Sequence, residues 1–409
     1  MKRYARDKTP YIKPVERIEL SEKNIKLRVI LMIVFLLLGA GAIAFGVRSC
    51  IAAEKGWQKI EVTSNAYSLS YDFILFYNIG ETDKNASSEK KSVAATYTKA
   101  AQEAYRLYDE YAPEGWLLKI NSEPGKAVEV DPELYSALQK ITENDSRLLY
   151  RAPYYEYYEL VFSAESDFEA EMYDPNKNEK TRELFLRISE FVNDKNAVNL
   201  EFNGNNTVTL HVSDMYSAFA KENEIANFIS FSPLRNAFAA EHIAGRMREG
   251  GYTNGYLSSA DGFTVYLNGK GYDYNVNLYD YDKSLACVCT VSIDQAKSSV
   301  YYKNYMLGPE DHGYTYKNGD TSTPYVSGDG LQANACEMLY VYSESLDCVD
   351  LALKTISVYT ADEADEEKLR EYKKDGLYAV YIKDKSIRYT EETLDLSETV
   401  DGYTKTYIK

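Results

Sequence analysis

The spacing of apolar residues along the chain predicts several amphipathic helices. One helix follows a polar segment, residues 84–92, that we expect to form a loop. Its apolar positions recur at three- and four-residue steps and are Tyr97, Ala101, Ala104, Tyr108 and Tyr111. A second helix has Asp131 as its N-terminal cap and Pro132 in its first turn, which is a typical helix start. A third covers residues 180–192.

Residues 232–262 predict a helix, a strand and a tight turn in succession. We expect Ser232 to cap the helix and Pro233 to open it, because proline at the first helical position gives up an amide that has no partner. Gly250 then ends the helix, and a short strand leads into a turn at Gly262. The helix start lacks the glycines and the lysine that usually let a backbone approach a phosphate.

Apolar and alternating runs in the rest of the chain predict strands. The two predicted hairpins turn at Asn205 and at Gly269. The segments expected to form strands or hairpins are residues 68–77, 200–212, 263–279, 285–293 and 352–359. Residues 366–389 predict a helix, a strand and a terminal hairpin. Together these elements predict an α+β domain with mixed sheets and flanking helices.

The N-terminal region predicts one membrane-spanning helix. Residues 29–47 carry no charge and are long enough to cross a bilayer. Residues 1–28 contain nine basic and four acidic side chains, which favours a cytoplasmic N-terminus. We therefore expect a stalk over residues 48–66 and an extracytoplasmic domain over residues 67–409, held at a bacterial cell membrane. A cleaved signal peptide is the alternative, which the long basic segment and the lack of a convincing cleavage site disfavour.

The charge of the remaining chain excludes some classes of partner. It has 37 basic and 59 acidic residues, so its surface lacks the basic footprint that nucleic acids and anionic lipids require. The 39 tyrosines indicate strand-rich surfaces and identify no ligand. Cys287 and Cys289 are two residues apart on a predicted strand, so we expect both thiols on one face. Without a paired cysteine motif or clustered histidines, a structural zinc site is disfavoured.

Four segments of the chain have patterns of a known family, in the family's order. They are INSEPGKAVEVDPELYSALQKI, NAFAAEHIAGRMREGGYTNGYLSS, AKSSVYYKNYMLG and SLDCVDLALKTISVYTADEADEEKLREYKKDGLYAVYI. In this order they resemble segments of the ApbE-type FAD:protein FMN transferase family, in register from about residue 71 to residue 389. The resemblance implies the flavin-transferase fold.

The resemblance also implies a cofactor, a metal and a partner. Enzymes of this family bind FAD and a divalent metal, usually magnesium. They attack the pyrophosphate and move FMN onto a threonine or serine of a partner flavoprotein. This step needs a metal to neutralise the phosphate and a base for the hydroxyl. Many members lie outside the bacterial membrane behind an anchor, in agreement with residues 29–47.

The residues matched to the family's flavin contacts are altered. The lysine and glycine of a KG pair fall on Asn236 and Ala237, and a following aspartate falls on Glu241. Of a glycine pair, only Gly262 remains, and a TSG tripeptide is replaced by KSS. The cofactor contacts that the match implies are Asn236, Glu241, Gly262, Ser298 and Tyr301.

The base and the metal ligands are altered as well. Ungapped matching places Thr315 where the family has its base histidine, and His312, three residues away, becomes the base only if the loop shifts. Of the metal pair, Asp347 is kept and the threonine is replaced by Leu351, with Asp350 as a substitute ligand. Loss of a general base alone removes about 10²–10⁴ of rate. These changes favour lost or reduced activity.

Three functions remain open from the sequence. The first is an anchored, catalytically impaired relative that binds a flavin, another nucleotide-like ligand or a partner protein, with the tyrosines of residues 150–158 stacking on a ring or lining a partner surface. The second is an active FMN transferase with His312 as base and Asp347 and Asp350 as metal ligands. The third is a cell-envelope interaction module without a small ligand.

Overall fold

The computed structural model describes residues 54–63, 68–80, 85–268, 273–281, 284–308, 311–397 and 400–409. The predicted basic segment and apolar span, part of the stalk and the turn at Gly269 lie outside these residues. No helix within the described part of the chain is long and apolar enough to cross a bilayer. From Glu54 onward the chain forms one unit.

A nine-stranded sheet of described residues runs through this unit. Its strands, in spatial order, are Gly56–Ile60, Phe73–Ile79, Gly255–Ser259, Phe263–Tyr266, Ser298–Lys303, Met338–Ser343, Leu377–Lys383, Ser386–Tyr389 and Thr404–Tyr407. Neighbouring strands are antiparallel except for the last two, which pair in parallel. The sheet therefore joins the first described strand to the C-terminal part of the chain.

Helices cover one face of the central sheet. Ala86–Tyr108, Arg235–Glu249 and Cys348–Tyr359 pack directly on it, and their apolar sides form the larger core with the sheet. Glu366–Tyr372 packs on the strand Leu377–Lys383 and adds Leu369 to this core. The other α-helices of the described chain are Trp116–Ser122, Pro132–Asp145, Arg147–Tyr150, Ala152–Phe162, Asp167–Tyr173, Glu179–Val192, Asp214–Glu222 and Glu366–Tyr372. Short 3₁₀ turns are Leu69–Asp72 and Lys373–Asp375.

A small three-stranded sheet covers the opposite face. Its strands are Tyr274–Tyr281, Leu285–Ile293 and Asp395–Ser397. The alternation of side chains along the central strand Met338–Ser343 shows the division: Leu339 and Val341 join the core under the helices, whereas Tyr340 and Tyr342 join the core under the small sheet. The remaining strands are Ala127–Glu129, Val198–Gly204 and Thr207–Val212 in one sheet, and Tyr314–Thr315 and Thr321–Ser322 in another.

Several predicted boundaries are confirmed. Asp131 caps the Pro132–Asp145 helix by accepting the Glu133 N–H at 2.8 Å. Gly250 ends the Arg235–Glu249 helix. The predicted α+β architecture of mixed sheets and flanking helices is also confirmed.

Two predicted helix starts are wrong. Of the predicted loop, residues 85–92 are described and do not form one, because Asn85 caps a helix that begins at Ala86. Ser232 does not cap the Arg235–Glu249 helix. The residue in the cap position is Leu234, whose side chain makes no capping hydrogen bond. The Leu234 N–H donates to the carbonyl of Phe231 at 2.7 Å, so a turn comes before the helix and moves its start to residue 235.

Two strand predictions are also wrong. Residues 352–359 belong to the Cys348–Tyr359 helix, whose exposed side is only a narrow stripe formed by Asp350, Lys354 and Ser357. Residues 352–359 alone contain only Lys354 and Ser357 of this stripe, which is too little to reveal the helical period. The strands Phe263–Tyr266 and Tyr274–Tyr281 do not form a hairpin, because they lie in different sheets.

Two surface interpretations need correction. Cys287 is exposed and Cys289 is buried, so the two thiols do not share one face. Cys287 pairs with Tyr279 and Cys289 with the adjacent Leu278, so a bulge lies between them and interrupts the alternation of side chains along the strand. The tyrosines of residues 150–158 do not form a partner surface. Four of them, Tyr150, Tyr154, Tyr155 and Tyr158, are buried. Tyr154, Tyr157 and Tyr158 pack around Phe185.

Candidate functional site

Asp347 and Asp350, the two predicted metal ligands, lie together at the start of the Cys348–Tyr359 helix. Asp347 caps this helix, since its Oδ1 accepts the Asp350 N–H at 2.7 Å. Lys140, from the Pro132–Asp145 helix, contacts both carboxylates. Its Nζ lies 2.8 Å from Asp350 Oδ1 and 3.4 Å from Asp347 Oδ2. A cation of the chain itself therefore pairs with both carboxylates and offsets one of their two negative charges. We call these three residues the lysine cluster.

The ammonium group of the lysine cluster is held in its charged form. Burial lowers the pKa of Lys140, but the hydrogen bond to Asp350 and the charges of both carboxylates raise that pKa further than burial lowers it. All three side chains are about one third exposed. Each ion pair therefore contributes at most about 1 kcal/mol to stability.

The groups around the lysine cluster do not fit a divalent cation. Leu351 is fully buried and offers no ligand atom. Glu241 Oε1 accepts the Cys348 N–H at 2.8 Å, and its Oε2 lies 3.7 Å from Arg248. No group of three histidine, cysteine, aspartate or glutamate side chains among the described residues is placed to hold a metal ion. The described side chains of the lysine cluster therefore offer too few free ligand atoms for magnesium.

A second cavity, of about 550 Å³, opens at the start of the Arg235–Glu249 helix. Arg235, Asn236 and His312 line it together with five carboxylates, which are Asp72, Glu110, Glu159, Asp261 and Asp311. We call it the acidic cavity. Its volume lies within the usual range for a small-molecule site.

Arg235 organises one wall of the acidic cavity. Its guanidinium lies 2.6 Å from Asp72 Oδ2 and 2.7 Å from Asp109 Oδ2. Burial lowers the pKa of Arg235, but these two carboxylates raise it more, so the group stays charged. A cation in the first turn of a helix opposes the helix dipole. The two carboxylates offset this cost.

His312 and Asn236, two of the predicted site residues, both lie in the acidic cavity. His312 Nε2 is 2.8 Å from Glu159 Oε1. Burial lowers the pKa of His312, but the hydrogen bond to Glu159 and that carboxylate's charge raise it more. Asn236 Nδ2 donates to Asp261 Oδ2 at 3.0 Å. By contrast, Thr315 is exposed and does not line this cavity.

Two carboxylates of the acidic cavity have a buried oxygen without a hydrogen-bond partner in the described chain. Glu110 is 6% exposed and its Oε2 accepts no hydrogen bond, and the same is true of Asp261 Oδ1. Burial raises the pKa of Glu110 to about 7, although Arg235 acts against it. Burial also raises the pKa of Asp261, against the hydrogen bond that Asn236 donates to it.

A third cavity, of about 920 Å³, lies on the sheet face under the small sheet. Seven aromatic side chains of the described residues line it: Trp57, Phe76, Tyr256, Tyr266, Tyr274, Tyr301 and Tyr340. We call it the aromatic cleft. Phe76 stacks on Tyr256 with ring centroids 5.3 Å apart, and Tyr266 stacks on Tyr274 at 4.6 Å. Such walls suit a planar ring.

Gly262 and Tyr301, two further predicted site residues, line the aromatic cleft. Gly262 has a φ of +95°, and a Cβ atom there would lie 2.2 Å from the Tyr301 carbonyl oxygen, so only glycine fits. The Tyr301 hydroxyl accepts the Tyr279 N–H at 3.1 Å and lies 2.9 Å from that of Tyr305. Burial raises the pKa of Tyr301 to about 12, so it stays protonated.

The structure thus divides the predicted residues among separate places. Asp347 and Glu241 line a cavity of about 350 Å³ beside Lys140, whereas Ser298 is fully buried and donates to the Leu346 carbonyl at 2.8 Å. The residues that sequence reasoning missed are Lys140, Asp72, Asp109, Glu110, Glu159 and Arg235. Only Arg235 had a signal, namely its unfavourable charge at a helix start.

Comparisons with known proteins agree with this architecture. No protein-family model and no curated protein matches the sequence. The ApbE protein of Thermotoga maritima has a similar structure, with a TM-score of 0.55 at 11% identity over 85% of this chain and 97% of that chain. The flavin transferase ApbE of Vibrio cholerae gives a TM-score of 0.55 at 10% identity over 86% and 98%. The chain therefore has an ApbE-like fold, as the sequence motifs predicted.

Proposed function

We propose that this protein binds a small ligand on an ApbE-like scaffold and has lost FMN transfer. The observation that carries the proposal is the lysine cluster, in which Lys140 pairs with both carboxylates predicted to hold magnesium. Transfer from a pyrophosphate needs positive charge that is free to meet the phosphate oxygens. An ammonium already paired with Asp347 and Asp350 supplies little of it.

The acidic cavity supports the same proposal. His312, the candidate base, is paired with Glu159 in a cavity that contains four further carboxylates. Negative side chains repel a diphosphate unless a metal stands between them. The residues matched to the base and to a flavin contact therefore lie in surroundings that oppose the reaction the family performs.

A titration of the full-length protein with FAD, followed by flavin fluorescence with and without magnesium chloride, tests this proposal. We expect no magnesium-dependent binding. Lys140→Ala removes the competing cation, and we expect it to raise magnesium affinity about tenfold in calorimetry, since two exposed ion pairs oppose the metal. Lys354→Ala, which breaks the comparable pair with Asp375 at 3.0 Å, is the matched control. Saturable, magnesium-dependent FAD binding by the wild type contradicts the proposal.

Flavin binding without transfer is the second candidate, favoured by the aromatic cleft. Gly262 and Tyr301, both matched to flavin contacts, line this cleft beside stacked tyrosines. An isoalloxazine ring has the shape and polarisability that such walls accept. In the titration above, FAD binding of equal strength with and without magnesium would support this candidate. Absence of binding in both arms would exclude it.

We also propose that residues 29–47 anchor the protein in the bacterial membrane and that its main domain is extracytoplasmic. Their length, lack of charge and basic N-terminal flank support this placement. Protease added to intact spheroplasts is then expected to digest the domain, and the protein should stay with membranes after an alkaline wash. Full protection from protease, or release by the wash, contradicts the placement.

A further inference from the structure

We propose that the acidic cavity binds a small organic cation, such as a primary diamine. This inference rests on the proposed function, since it names the ligand class of a protein that binds without transferring FMN. It follows from the charges around the cavity, from two buried oxygens without partners and from the cavity's size.

The charges that line the cavity do not balance. Glu159 pairs with His312 at 2.8 Å, and Asp311 pairs with Lys303 at 3.4 Å. The guanidinium of Arg235 serves two carboxylates, those of Asp72 and Asp109, so one negative charge remains from this group. These pairs leave the cavity with an excess of negative charge.

Glu110 and Asp261 add to this excess. Neither forms an ion pair with a cationic side chain among the described residues. Each has a buried oxygen that accepts no hydrogen bond, and only 6% of the Glu110 surface is exposed. A buried carboxylate oxygen without a partner is costly, so in a native protein it is normally paired with another protein group, with ordered water or with a bound group. A ligand with N–H donors and a positive charge satisfies both requirements.

The size of the cavity favours an organic cation over a metal ion. Its volume of about 550 Å³ is far larger than a single ion needs. No three side chains of the metal-binding types converge on one point within the described part of the chain. Tyr111, which lines the cavity and is 52% exposed, offers a ring that an ammonium group or an alkyl chain can contact.

Calorimetry of the full-length protein at pH 8 with 1,4-diaminobutane tests the inference, because Glu110 is ionised at this pH. We expect saturable binding of the diamine, and none of 1,4-butanediol, which has the same length without charge. Glu110→Gln and Asp261→Asn should each weaken diamine binding about tenfold or more, as expected for a lost charge-assisted hydrogen bond.

Glu337→Gln is the matched control. Glu337 also has a buried oxygen without a partner and a pKa raised by burial, but it lines a different cavity. We expect this variant to bind the diamine as the wild type does. Thermal unfolding of each variant checks that it folds.

Three results would overturn the inference. They are no diamine binding at millimolar concentration, equal binding by the wild type and both cavity variants, and displacement of the diamine by calcium chloride at lower concentration than the diamine itself. Magnesium-dependent FAD binding would instead contradict the proposed function. The failures of the two proposals are thus distinguishable.

Discussion

Glu110 lies just after the Ala86–Tyr108 helix, and its carboxyl group is almost completely removed from water. Burial raises its pKa from an ordinary 4.5 to about 7. Between these two pH values the native chain therefore holds a proton that the unfolded chain has released. The contribution of Glu110 to the free energy of unfolding consequently falls as the pH rises from about 4.5 to 7.

Glu110→Gln removes this dependence, because a glutamine side chain has nothing to ionise. At pH 5 we expect wild type and variant to have similar free energies of unfolding. At pH 8 the variant should be more stable, by up to about 3 kcal/mol for a shift of this size. Urea unfolding at both pH values measures the difference. Parallel pH profiles for the two proteins would show that the Glu110 pKa is not raised.

At this scale the sequence carried little of the information. Glu110 lies between Tyr108 and Tyr111 in a predicted amphipathic helix, and Lys140 lies in another, so both have the pattern of ordinary solvated helix positions. Their roles depend on Arg235 and on Asp347, which are more than 100 positions away in the chain. By contrast, the glycine match at Gly262 located a position where the backbone excludes every other side chain.

Among the elements, the Cys348–Tyr359 helix is the one whose type the sequence concealed. Its second half is rich in branched residues, which favour strands, and only the narrow polar stripe of Asp350, Lys354 and Ser357 follows the helical period. The helix is specified instead by its first residues, where Asp347 supplies the cap. Where caps and turn residues were recognised, at Asp131 and Gly250, the predicted boundaries are right.

Asp347→Ala should lower the free energy of unfolding by about 1 kcal/mol, the usual cost of losing a helix cap. Asp347→Asn keeps an oxygen that can accept the Asp350 N–H, so we expect a smaller loss. Asn178→Ala, at the cap of the Glu179–Val192 helix, provides a comparison away from the lysine cluster. Chemical unfolding of the three variants measures these losses. Wild-type stability for Asp347→Ala would show that the cap does not stabilise the helix.

For the whole molecule, the sequence predicted the fold class and the family likeness but not the arrangement of the sheets. Local signals such as caps, turns and period are short-range, whereas strand order depends on contacts between distant segments. The predicted hairpin over residues 263–279 failed for this reason, since its two halves join different sheets. The cavities also depend on contacts between distant segments. Ala260, for example, lines both the acidic cavity and the aromatic cleft.

Lys140 joins two helices through ion pairs that do not depend on dissolved ions. A dissolved divalent ion leaves its ligands when the medium is depleted of it, whereas a cation on the chain stays at the same effective concentration at any dilution. We therefore expect the contact that Lys140 makes between the Pro132–Asp145 and Cys348–Tyr359 helices to be insensitive to metal supply. A fold similar to that of the flavin transferase ApbE of Vibrio cholerae carries here a counter-ion that the sequence itself encodes.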